Sequence, residues 1–168
     1  TRKRATDFDQ GLLDLFDRYV HGLISRRKFL DEARSFAVGG VSAAMLLESL
    51  SPRYAERQQV RSDDPQVRGE YIEYSSPRGA GTMRGYLVRP VDSNGDLPGV
   101  VVVHENRGLN PHIEDVARRT ATAGFLAFAP DALTPLGGYP GNDDDGRVLQ
   151  SQRDRGEMQE DFVAAGRF

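Results

Sequence analysis

Apolar residues recur every three or four positions through roughly the first fifty residues, whereas beyond residue 70 they alternate or run unbroken. Phe8, Leu12, Leu13, Phe16, Tyr19 and Val20 have helical spacing between Ala5 and Val20, with Asp7, Asp9, Asp14 and Asp17 among them. The pattern predicts an amphipathic helix ended near Gly22. Ser25-Arg26-Arg27-Lys28-Phe29-Leu30 opens a second helical pattern that continues through Phe36 to Leu50 and stops at Ser51-Pro52. Gly39-Gly40 weakens it locally, because each glycine costs roughly 1 kcal/mol relative to alanine. Phe8, Leu12, Phe16, Phe29, Phe36 and Leu46 are expected to be buried, since together on a surface they would form an unusual apolar patch.

Residues 56–67 are polar and read as a linker, which divides the chain into a helical extension with its linker, 1–67, and a second region, 68–168. Glu70 to Ser75 and Met83 to Arg89 alternate around the turn-forming Pro77 to Gly81, predicting an antiparallel hairpin at a sheet edge. Val100 to Val103 follows Pro98-Gly99 as four β-branched residues, the signature of a parallel strand buried on both faces. Asn110-Pro111 starts a helix bearing Ile113, Val116, Ala117 and Thr120. Gly124 ends it before a second apolar run, Phe125 to Ala129. This is a β-α-β unit, and ligands in open α/β sheets bind beyond the carboxyl ends of the strands, here His104 to Asn110. Leu133 to Gly146 is rich in glycine and proline and reads as a surface loop beside an active site. Arg147 to Phe168 reads as a helix.

A net charge of −3 gives no general attraction to nucleic acid. The absence of cysteine excludes disulfides, thiolate metal sites and a cysteine nucleophile within the 168 residues. No apolar run approaches the roughly 18 residues that span a bilayer. No Gly-x-Gly-x-x-Gly or phosphate-binding Walker loop follows any predicted strand, which removes nucleotide binding from the leading readings. Asn142 to Asp145 lacks the liganding glutamate and spacing of a calcium loop and reads as solvated.

The strand leading into His104-Glu105-Asn106-Arg107-Gly108-Leu109-Asn110, the helix after it and the run closing in Ala129-Pro130-Asp131 resemble the dienelactone hydrolase family, a branch of the α/β hydrolases. The resemblance extends in less detail from about Tyr71 to Phe168. It implies the amino-terminal half of an α/β-hydrolase sheet, an edge hairpin plus parallel strands flanked by helices, acting on a small-molecule ester or lactone without metal or organic cofactor. It also implies that Glu105 lies beside the nucleophile and helps to take its proton, and that the Asn106 N–H is an oxyanion donor. His104 and Arg107 are candidates for substrate contact. For His104 the alternative is a histidine satisfied by hydrogen bonds in the pocket wall, and for Glu105 a structural pairing with Arg107, Arg118 or Arg119. Arg147, Arg153 and Arg155 are further candidates for holding an anionic substrate group. Asp131 precedes the place of a triad acid and reads as a structural acid or cap.

No Gly-x-Ser-x-Gly or Gly-x-Cys-x-Gly elbow occurs in the sequence. The nucleophile and triad histidine are therefore expected outside these residues, on the same polypeptide or on a second chain. The strand Phe125 to Ala129 is expected to be the open edge that meets the nucleophile-bearing strand. A homo-oligomer would be another way to cover that edge. The competing class is a non-catalytic half-domain serving as a scaffold or binding module. The Ser-Arg-Arg-x-Phe-Leu string also resembles a twin-arginine export signal, with Tyr54-Ala55 as a cleavage neighbourhood. Asp31, Glu32 and Arg34 interrupt its apolar region, so a retained extension on a cytoplasmic protein is the first reading and periplasmic export the alternative.

Overall fold

A computed structural model describes residues 5–51, 58–93 and 95–168. The chain forms two compact units, residues 1–53 and 54–168. Tyr54-Ala55 and the first two residues of the expected linker lie outside the described residues.

The first unit consists of α1 (Gln10–Val20), α2 (Arg26–Ala33) and α3 (Ala43–Leu50). Each begins at a side-chain cap. Asp9 accepts from the Gly11 N–H, Ser25 from the Lys28 N–H and Ser42 from the Met45 N–H, at 2.7, 3.2 and 3.2 Å. The single helical pattern expected from Ser25 to Leu50 is broken in two, because Gly39 and Gly40 take φ of +65° and +84°, left-handed backbone that no helix accommodates. Leu12, Leu15, Tyr19, Ile24, Phe29, Ala33, Leu46 and Leu47 form the core, and Phe8, Phe16 and Phe36 pack half-buried against it. Phe29 sits at the centre, edge-on to Phe16.

The second unit is a mixed four-stranded sheet in the order β1-β2-β4-β3. β1 (Val67–Ser76) and β2 (Gly81–Pro90) form the predicted hairpin, with Tyr71 opposite Tyr86 and Tyr74 opposite Met83. β4 (Leu126–Asp131) runs antiparallel to β2 and parallel to β3 (Gly99–Val101), and α4 (Pro111–Thr122) makes the crossover between β3 and β4. α5 (Asp143–Ser151) and α6 (Arg155–Ala165) follow.

The alternation of strand side chains sorts two cores. Tyr86, Val88, Ala127 and Ala129 face one way and meet Ile113, Ala117 and Ala121 of α4. Met83, Phe128 and Tyr74 face the other way and meet Ala165 of α6. Small residues on β4 and α4 let the helix lie close to the sheet, while Gly85 leaves room for the Phe128 ring, which an added Cβ would meet at 2.4 Å.

Several expectations are corrected. The Phe125–Ala129 strand is not an edge, because β4 lies between β2 and β3 and is hydrogen-bonded on both sides. Among the described residues the edges are β1 of the hairpin and β3. Nor is the valine run buried on both faces. Val100 and Val102 turn inward, while Val101 and Val103 remain 36% and 55% exposed. The acidic cluster after Asn142 is the first turn of α5 rather than a solvated loop. Asn142 caps it by accepting from the Asp145 N–H at 2.9 Å, and three carboxylates at a helix N-terminus suit the helix dipole. The helix expected over 147–168 is interrupted before Asp154, which caps α6 by accepting from the Glu157 N–H.

Candidate active site

The backbone leaves β3 as a loop, turns at Asn106-Arg107 and enters α4 at Asn110. The Asn110 side-chain oxygen accepts from the Ile113 N–H at 3.1 Å, and Pro111 occupies the first helical position, where its missing N–H costs nothing. Gly108 is obligatory. Its φ is +80°, and an added Cβ would stand 2.4 Å from Leu133.

His104 is buried at the base of this loop. Its Nε2 accepts from the Ala132 N–H at 3.0 Å, so the proton is on Nδ1, which donates to the Glu105 carbonyl at 2.8 Å. Burial lowers its pKa below the ordinary 6.5, against the raising effects of the Glu105 carbonyl and the Asp131 charge. The ring thus ties the end of β3 to the end of β4. Both nitrogens are engaged by backbone, as in the pocket-wall role weighed for it. Asp131 accepts from the Leu133 N–H at 3.0 Å and is the structural acid expected from the sequence.

Glu105 is exposed, and its carboxylate has no hydrogen bond or ion pair among the described residues, so the structural pairing weighed for it is not formed. The three arginines considered as its partners are engaged elsewhere. Arg107 bonds Asp143 at 2.9 Å, Arg118 reaches the Val60 carbonyl at 2.7 Å, and Arg119 pairs with Asp115 at 3.2 Å. The Asn106 N–H is likewise without an acceptor among the described residues, and Asn106 is exposed. A free carboxylate and a free backbone donor therefore stand on adjacent residues at the carboxyl end of β3. Arg107 is half-buried and held by Asp143, so its guanidinium is committed in part to the protein.

Of the other arginine candidates, Arg153 is removed by its burial. It pairs with Asp161 at 2.6 Å, and Asp161 also accepts from the Ala80 N–H at 2.9 Å, locking the β1–β2 turn onto α6.

Sequence reasoning missed the residues that hold the loop. Asp143 accepts from Arg107, from the Asn110 side-chain amide at 3.2 Å and from the Tyr139 hydroxyl at 2.9 Å. Desolvation, then the bond to Asp143, raises the Tyr139 hydroxyl above its ordinary pKa of 10.0. Gln150 donates to the Glu105 carbonyl at 2.8 Å and accepts from the Gly108 N–H at 3.0 Å. Gly146 lets α5 approach, since a Cβ there would lie 2.4 Å from the Arg107 carbonyl oxygen. The available signal was Asn142 followed three residues later by Asp145, a helix start that sets Asp143, Gly146 and Gln150 on one face.

The sequence profile of the dienelactone hydrolase family matches residues 83–165, from within β2 to the end of α6, including the whole of this loop. "Putative hydrolase fragment YghX" of Escherichia coli (strain K12) is 59% identical over 114 residues, covering 68% of this chain and 97% of that protein. The chain belongs to the dienelactone hydrolase family. Residues 1–39 match a separate profile described as YqhI-like. The "Putative carboxymethylenebutenolidase" of Escherichia coli (strain K12) is 46% identical over 57 residues, 34% of this chain and 21% of that protein. A crystal structure titled as a putative dienelactone hydrolase from Klebsiella pneumoniae subsp. pneumoniae MGH 78578 shares 30% identity over 60% of this chain and 43% of its own, with a TM-score of 0.47. The chain thus spans nearly all of one family member, but about a fifth and two fifths of the other two. Among the described residues no helix is long and apolar enough to cross a membrane.

Proposed function

We propose that this chain supplies the oxyanion side of an ester or lactone hydrolase site whose nucleophile lies outside these 168 residues. The observation that carries the reading is the pairing of an unengaged Glu105 carboxylate with an unengaged Asn106 N–H on a loop fixed from three directions, by His104, Gly108 and α5. In the proposed reaction a Cys or Ser attacks the acyl carbon. Its proton passes toward Glu105 and the carbonyl oxygen gains negative charge facing the Asn106 N–H; the acyl C–O bond then breaks, the leaving oxygen takes up that proton and departs as the alcohol, and an acyl-enzyme remains. Water then releases the acid. His104 is not the base in this scheme, because both of its nitrogens bond the backbone.

The open β3 edge, with Val101 and Val103 exposed, supports a second reading in which the half-sheet pairs with another chain and performs no chemistry. The native species containing this chain, purified from its cells, distinguishes the two by intact mass and by turnover of p-nitrophenyl acetate. Under the hydrolase reading it contains a nucleophile elbow, and Glu105→Gln lowers turnover by about 10²-fold, the scale of a positioned acid-base group, while the fold survives. Turnover unaffected by Glu105→Gln, with a lowered melting temperature, would leave Glu105 structural. An inert native species would favour the second reading.

A further inference from the structure

The Glu105 carbonyl and the Asn106 N–H belong to the same peptide unit. In a trans peptide these two groups point in opposite directions, so whatever fixes the carbonyl also aims the N–H. Here the carbonyl is fixed twice, by His104 Nδ1–H and by the Gln150 side-chain amide, each at 2.8 Å. We propose that Gln150 is a positioning residue for catalysis, acting with His104 to aim and polarise the Asn106 N–H as the oxyanion donor. This rests on the hydrolase reading above.

Three features support a role beyond packing. The Gln150 carboxamide spans the Asn106-Arg107 turn, donating to the carbonyl before it and accepting from the Gly108 N–H after it. Its orientation is unambiguous, since a flipped amide would set N–H against N–H and oxygen against oxygen. α5 is itself seated at both ends of one face. Asp143 bonds Arg107 and Asn110 in its first turn, Gly146 touches the Arg107 carbonyl in the middle, and Gln150 closes the face two turns on. Finally, two donors on one carbonyl draw charge toward its oxygen and make the N–H of the same peptide a stronger donor. The loop is thus built so that the Asn106 N–H is strengthened from behind.

The test uses the native species and two substitutions that separate the arms of the bridge. Gln150→Ala removes both arms. Gln150→Glu keeps an acceptor for the Gly108 N–H but replaces the donor to the Glu105 carbonyl with a carboxylate. Hydrogen–deuterium exchange with residue-level fragmentation should show Gly108 exchanging at least about tenfold faster in Gln150→Ala and near the wild-type rate in Gln150→Glu, as expected when a bonded amide is freed. With p-nitrophenyl acetate, both variants should lose about tenfold or more in kcat with KM within about twofold, a part of the loss expected on deleting an oxyanion donor. A wild-type kcat in Gln150→Glu would overturn the proposal, because only packing and the Gly108 arm would then matter. Unaltered Gly108 exchange in Gln150→Ala would overturn it even if the native species proved inert. Inertness with the expected exchange would sink the hydrolase reading and with it the catalytic role of Gln150, leaving only the bridge as a structural contact.

Discussion

Between Leu12 and Leu47 the buried side chains are aliphatic or aromatic, whereas the sheet unit buries Arg118, Asp115, Arg153, Asp161, Asp131, Asn110, His104 and Ser76 among its apolar residues. The contrast is one of directionality. Apolar contacts reward area and shape, so several arrangements of similar volume serve the helical unit nearly equally. A buried ion pair or hydrogen bond rewards a single geometry and penalises every other. In the sheet unit such pairs occur where chain segments must be held in register with an element. Asp115 accepts from the Gln59 and Val60 N–H groups, Asp161 holds the Ala80 N–H, and His104 ties the ends of β3 and β4. The helical unit holds its shape by volume, and the sheet unit holds its loops by partners.

The largest effect that would break this contrast is at Asp161. Asp161→Ala leaves the Arg153 charge buried and unpaired and should cost about 3–5 kcal/mol in chemical denaturation. Replacing both residues by apolar ones, Arg153→Met with Asp161→Leu, should recover most of that loss. If the single change costs under about 1 kcal/mol, the pair does not hold the hairpin turn as argued. In the helical unit Phe29 is as deeply buried, yet Phe29→Leu should cost less than about 1.5 kcal/mol, because the site asks only for apolar volume. A larger loss in a melting series would mean that the aromatic contacts with Phe16 and Tyr19 are specific. Asn142→Ala removes the cap of α5 and should cost about 1 kcal/mol, visible as faster amide exchange in the first turn of that helix.

The smallest expected effect is a slope. His104 is held neutral in the fold, so the unfolded chain takes up its proton more readily. The stability this contributes is complete above pH 6.5 and is lost as pH falls from there toward the lower folded pKa. Melting temperatures between pH 7 and pH 5 should therefore fall less steeply in His104→Ala than in the parent. Parallel slopes would show that burial of the ring is not what couples this loop to pH.

The periodicity changes were legible in the chain itself, as were the cap at Asn110 and the hairpin around Pro77 to Gly81, because each depends on residues close in sequence. The resemblance at Glu105 to Asn110 likewise led to the family from a short local string. The strand order was not legible. Two parallel strands and a hairpin can be assembled with either parallel strand at the edge, and the small β4 face under α4 favours the arrangement in which β4 lies inside. The exposure of Glu105 follows from the same strand order, since a residue leaving an edge strand meets solvent where one leaving a central strand would not.

What the sequence by itself determined is therefore local: where α2 and α4 start, which strands alternate, which seven-residue loop, His104 to Asn110, bears the family resemblance, and that no nucleophile elbow occurs in the 168 residues. Only the tertiary structure decided that α5 exists as the support of that loop, that Asp143 and Gln150 reach back across 36 and 45 residues to hold it, and that Arg153 belongs to Asp161 rather than to a ligand. The physical reason is range. Caps and periodicity arise from interactions within a turn or two of the chain, whereas the Glu105–Asn106 peptide is also held by Gln150, brought to it from α5.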